Sequence, residues 1–120
     1  MSFLSLLGVT LLAGHVSAFR GQLAASAYTS KPNSPGFIYQ NIYLTDYTTR
    51  STYAAQLYGG FNGCTTSECS VYFEETSDGG YGFNALMWRT SNGCHNIDFK
   101  GALDAGHGYC CGSLPCYITA

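Results

Sequence analysis

Six cysteines constrain this chain more than any other feature. They stand at 64, 69, 94, 110, 111 and 116, all downstream of an apolar N-terminal run. That run, Phe3 to Ala13, is too short for a bilayer, which takes about 20 apolar residues. It leads into Val16-Ser17-Ala18, small side chains of the kind a signal peptidase accepts. No Lys or Arg precedes Arg20, so only the α-amino group is cationic ahead of the apolar run. Residues 1–18 therefore read as a signal peptide, with cleavage before Phe19. The product is expected to be secreted, extracellular and monomeric. It should have no membrane anchor, because no second apolar stretch is long enough. In an oxidising compartment an even set of cysteines implies three disulfides, whose pairing spacing alone does not sort. Cys110 and Cys111 should each pair elsewhere, since a bridge between neighbours strains the peptide between them. Cys94-His95 and His107-x-x-Cys110-Cys111 place N and S ligands close together. Neither repeats a C-x-x-C knuckle, and oxidation competes for the thiols, so no metal and no cofactor is expected.

Charge excludes several classes. Five Lys or Arg face seven Asp or Glu, a net charge of -2. A phosphate-tracking surface needs clustered cations that this chain lacks, so nucleic acid is not an expected physiological partner. Ten Tyr, seven Phe and low net charge argue against disorder. Fifteen Gly argue against coiled coils and bundles. The length permits one domain.

An internal repeat suggests the architecture. A shift of 30 residues aligns 42–64 with 72–94 without a gap. Tyr43 falls on Phe73, Tyr53 on Phe83, Ala55 on Ala85, Leu57 on Met87 and Tyr58 on Trp88, and both blocks end in Asn-Gly-Cys. Two copies of a unit that cannot bury its own apolar face should pack on each other. Val71-Tyr72-Phe73, the glycine turn at Gly79-Gly80 and Phe83 to Trp88 read as strand, turn, strand. Phe37 to Asp46 and Tyr53 to Tyr58 flank a less glycine-rich turn. His95 to Phe99 and Tyr117 to Thr119 add short strands, with loop over 103–108. Residues 19–41, rich in Ser and Ala and carrying Pro32 and Pro35, read as a partly ordered arm with a helical turn near 21–27. The expectation is an all-β chain: a small disulfide-stabilised β-sandwich of two hairpin repeats within a 42–120 domain.

Short aromatic strands with glycine turns in two copies resemble the paired Greek keys of the βγ-crystallin fold, which fungal killer-toxin-like proteins also use. That family often carries a calcium motif of two Asx, two free positions, then Ser/Thr and Ser. Asn62, Thr66 and Ser67 match it, but Gly63 stands where an oxygen ligand belongs. The second copy lacks the hydroxyl pair, and a hard cation wants six or more oxygens, so no calcium site follows.

Function divides into three readings. Ribonuclease-like chemistry needs a general base, a general acid and a cation at the developing phosphorane. Glu74 or Glu75, His95 with His107, and Arg89 supply those types without a local signature. Solvated hairpin charges explain Glu74, Glu75 and Arg89 equally well, and His107, between two glycines, reads as part of an exposed mobile loop. No Gly-x-Ser-x-Gly elbow is present. Exposed aromatics point to binding instead, and Tyr47, Tyr58 and Tyr109, beside turns, are the candidates for a binding surface. Tyr43, Phe73, Phe83 and Trp88 are expected to fill the strands. A signal peptide, three disulfides and few charges resemble the small cysteine-rich effectors of plant-associated fungi. That resemblance implies binding to a host extracellular protein or a cell-wall polysaccharide, promoting colonisation and virulence in the apoplast. A killer-toxin-like antimicrobial is the alternative, and a secreted ribonuclease-like enzyme the third reading.

Overall fold

The computed structural model describes residues 18–120, so the signal-peptide reading lies almost wholly outside them. Eight strands run in chain order: β1 (Arg20–Lys31), β2 (Ser34–Asp46), β3 (Thr52–Tyr58), β4 (Cys69–Glu75), β5 (Phe83–Arg89), β6 (Cys94–Asp98), β7 (His107–Cys111) and β8 (Cys116–Thr119). Short 3-10 turns cover Phe61–Gly63 and Ala102–Asp104. The chain is all-β, as its strand patterns require.

The strands form one antiparallel sheet in the order β7-β6-β5-β4-β3-β2-β1-β8. From β1 to β7 sequence neighbours are sheet neighbours, and β8 returns beside β1. This meander is not the pair of Greek keys that the βγ-crystallin resemblance implied. The sheet curls until its ends approach, making a nearly closed barrel around one core. Leu23, Ile42, Leu44, Leu57, Phe73, Met87, Ile97 and Ile118 fill that core. Aromatic rings thread it: Tyr53 meets Phe83 at 5.2 Å, Phe83 meets Phe99 at 5.6 Å, and Phe99 meets Phe19 at 5.0 Å.

The stretch 19–41, expected as a partly ordered arm, instead supplies β1 and most of β2. No helical turn forms at 21–27. Gly21 is there because β1 lies tightly against β2: a Cβ on it would stand 1.7 Å from the Thr45 carbonyl oxygen. The same logic corrects the loop reading of 103–108, where His107 and Gly108 begin β7. A Cβ on Gly108 would meet the Thr119 carbonyl oxygen at 2.3 Å, so this glycine marks close approach of β7 to β8.

The repeat holds in part. Tyr53, Ala55 and Leu57 on β3 point inward, as do Phe83, Ala85 and Met87 on β5. The preceding strands do not correspond. Phe73 pairs with Phe83, but Tyr43 pairs with Ala54 and leaves Leu44 opposite Tyr53. That one-residue slip turns the whole strand over. Ile42 and Leu44 therefore enter the core, and Tyr43 faces out, 43% exposed. The two Asn-Gly-Cys triplets also differ, the first closing a 3-10 turn and the second a tight turn with Gly93 at φ 84°.

The disulfides are Cys64–Cys69, Cys94–Cys111 and Cys110–Cys116. Cys110 and Cys111 pair elsewhere, as neighbouring cysteines should. Cys94–Cys111 crosses from β6 to β7, and Cys110–Cys116 ties the two end strands of the sheet together. Their sequence separations are 5, 17 and 6, so each closes a short loop.

Candidate functional site

A cleft of 450 Å³ opens where β3 and β4 part. Their pairing consists of Tyr53 with Glu75 and Ala54 with Glu74. A clamp at the strand ends holds this point: the Thr76 backbone N–H donates to the Thr52 carbonyl at 2.8 Å, and the two hydroxyls lie 2.7 Å apart. Farther along, the strands diverge. Alternation then dictates what lines the opening. Ala55 and Val71, inward residues, form an apolar floor, and the outward residues Gln56, Tyr58, Ser70, Tyr72 and Glu74 rim it, with Asn41 from β2. Tyr58 and Tyr72 are each half exposed. The Tyr58 hydroxyl donates to Gln56 Oε1 at 3.3 Å, which fixes one ring beside one amide. Rings flanking amides, a hydroxyl and a carboxylate suit a hydroxyl-rich ligand. Apolar ring faces meet C–H surfaces, and the polar groups exchange hydrogen bonds with O–H groups.

A second concavity, of 560 Å³, lies at one mouth of the barrel. Tyr28 on β1, Gln40 on β2, Asn62, Arg89 on β5, His95 on β6 and Ser113 between β7 and β8 meet there. Arg89 and His95 are cross-strand partners, and Arg89 Nη1 donates to Asn62 Oδ1 at 2.9 Å. The His95 imidazole packs edge-on against Phe61 at 4.7 Å, with its Nδ1 buried and unpartnered. Burial holds its pKa below the ordinary value. The Arg89 charge adds to that shift, and the backbone of Cys110 opposes it.

The structure does not gather the five candidate acid–base groups into one site, and of them Arg89 and His95 alone share a pocket. Glu74 rims the β3/β4 cleft, and Glu75 sits at the clamp, where it accepts from the Ser77 hydroxyl at 2.9 Å. Arg89 and His95 share the mouth. His107 is on β7 rather than in a loop, on the outer face. There its Nε2 lies 2.8 Å from Asn96 Oδ1 and its ring stacks on Trp88 at 5.2 Å. Tyr109 extends that strip, 6.1 Å from His107. Trp88 is thus half-buried on the outer side of its strand.

The three candidate binding tyrosines are all exposed and lie apart. Tyr47 stacks on Tyr117 at 6.2 Å, Tyr58 rims the cleft, and Tyr109 ends the outer strip. The sequence reading named Tyr58 and Glu74 but not their neighbours. Tyr72 and Gln56 carried a usable signal, each at outward parity between inward apolar residues, whereas Asn41, beside Gln40, did not. Tyr28 carried none, because its role depends on strands distant in sequence. No family model, no curated protein and no solved structure matches the chain.

Proposed function

We propose that this is a small secreted cysteine-rich protein that works outside the cell by binding, with a neutral cell-wall glycan as its ligand in the β3/β4 cleft. Such binding fits the effector class, in which a protease-resistant module aids colonisation without turnover. One observation carries the reading: Tyr58 and Tyr72 bracket amides and a carboxylate over a shallow apolar floor. Glu74 favours uncharged sugars, because a carboxylate in the rim repels acidic ones. Three disulfides among the described residues suit an extracellular life.

Retention on insoluble neutral polysaccharides, measured against soluble oligosaccharide competitors, tests the reading. Tyr72→Ala should weaken retention about tenfold, the worth of one well-placed ring contact. Glu74→Gln should weaken it less, and Tyr47→Ala should leave it unchanged. Wild-type retention by both cleft variants, or no retention of the parent on any neutral polysaccharide, overturns it.

A further inference from the structure

At the mouth of the barrel the side-chain oxygens of Asn62 and Gln40 are already engaged as acceptors, while donors remain. Asn62 Oδ1 accepts from Arg89, and Gln40 Oε1 accepts from the Phe61 backbone N–H at 3.1 Å. Gln40 Nε2 in turn donates to the Ser26 carbonyl at 3.0 Å. The Tyr28 hydroxyl oxygen accepts from the Asn62 backbone N–H at 3.0 Å, which leaves its own proton to give. The bond to Asn62 engages one arm of a guanidinium that has five N–H donors and no acceptor. Asn62 and Ser113 line the same concavity and bring an amide N–H₂ and a hydroxyl to it, and none of the lining residues bears a carboxylate. A half-buried cation ringed by unspent donors, in a concavity of 560 Å³, is the reverse of the Glu74 cleft in chemistry.

We propose that this mouth is an oxyanion site, taking a carboxylate, sulfate or phosphate group on Arg89 with Tyr28 and Ser113 as further donors. Arg is suited to that role because its planar fork meets two oxygens of one anion at once. The walls are preorganised. Cys94–Cys111 and Cys110–Cys116 brace the segment carrying Ser113, and Phe61 packs on His95 behind it. Burial and, after it, the Arg89 charge hold the His95 pKa below its ordinary value. An anion on Arg89 offsets that charge, so occupancy should be readable at His95 itself. The site is separate from the β3/β4 cleft and does not rest on the glycan reading.

The test is an NMR titration of the disulfide-bonded protein at constant ionic strength. Sodium sulfate serves as the inorganic probe and methyl galacturonide as the sugar-carboxylate probe, each balanced against chloride. Saturable shifts at the Arg89 side chain and the Ser113 amide are expected, together with a rise in the His95 titration midpoint. Arg89→Gln should weaken binding roughly tenfold or more, and Tyr28→Phe severalfold. Tyr72→Ala, in the other cleft, should change nothing. Saturation by sulfate alone identifies a free oxyanion as the ligand; saturation by the galacturonide alone identifies a sugar acid; either supports the site. Unsaturated, linear shifts with both probes overturn it, as does undiminished binding in Arg89→Gln. Should Arg89→Gln fail to fold, Tyr28→Phe decides: undiminished affinity in that variant overturns the proposal.

Discussion

Between β3 and β4 the ladder holds at Tyr53 and Ala54 and then lets go, whereas β7 and β8, the two ends of the sheet, are drawn together by a covalent bond and a buried glycine. The disulfide nearest the first seam, Cys64–Cys69, closes only the connection between β3 and β4. The disulfide at the second, Cys110–Cys116, joins the strands themselves. The open seam accordingly exposes outward rings and amides, while the locked seam completes the core. One curled sheet thus leaves one seam open for the proposed recognition and locks the other for cohesion.

The hardest blow to this division is to unlock the second seam. Cys110→Ala with Cys116→Ala should cost about 2–5 kcal/mol, the range for native disulfides in small domains. Hydrogen exchange should rise along β7 and β8 together. Cys64→Ala with Cys69→Ala should stay near the lower end, about 2 kcal/mol from loop entropy, with exchange confined to the β3–β4 connection. Denaturant midpoints in the opposite order would break the comparison.

A smaller pair of changes sharpens it. Gly108→Ala places a methyl against the Thr119 carbonyl, and overpacking of that kind costs about 1–3 kcal/mol. Gly63→Ala, beside the open seam, meets nothing within 4 Å and should fall within about 0.5 kcal/mol of the parent. Equal losses would show that β7 and β8 are not in close contact.

The smallest effect is a pH dependence on the locked side. The folded His95 pKa lies below its unfolded value, so the unfolded chain binds more protons between the two. Stability should therefore fall as pH drops below about 6.5, and stop falling once the folded pKa is passed. Urea midpoints across that window should slope less in His95→Phe than in the parent. Parallel curves would remove His95 as the cause.

Alternation and turn chemistry made part of this legible from sequence. The β4–β5 hairpin followed from Val71, Phe73 and the glycines between the strands, and the inward faces of β3 and β5 followed from the repeat. Two kinds of information did not. Gly21 read as part of a partly ordered arm and Gly108 as a loop residue because local propensity cannot distinguish a flexible glycine from one pressed against a neighbouring strand. The slip between Tyr43 and Phe73 was invisible because register depends on turns and long-range packing. The cleft was half legible, since Tyr58 and Glu74 stood out while their partners needed the β3/β4 divergence to bring them together. The mouth gathers residues from Tyr28 to Ser113, and only closure of the sheet makes them neighbours.

The position of β1 between β2 and β8 sets a timetable for synthesis on the ribosome. Arg20 to Leu23 pair with Thr119 to Cys116, and Phe19 exchanges backbone hydrogen bonds with Ala120. Of the described strands, the first to be made therefore waits for the last before its second edge is covered. Until then β1 presents open N–H and C=O groups that any neighbouring nascent chain can match. Local hairpins such as β4–β5 can form early, but the curl cannot close strand by strand as translation proceeds. Completion is a single late event, and a chain stalled before Cys116 is expected to join its neighbours edge to edge rather than fold alone.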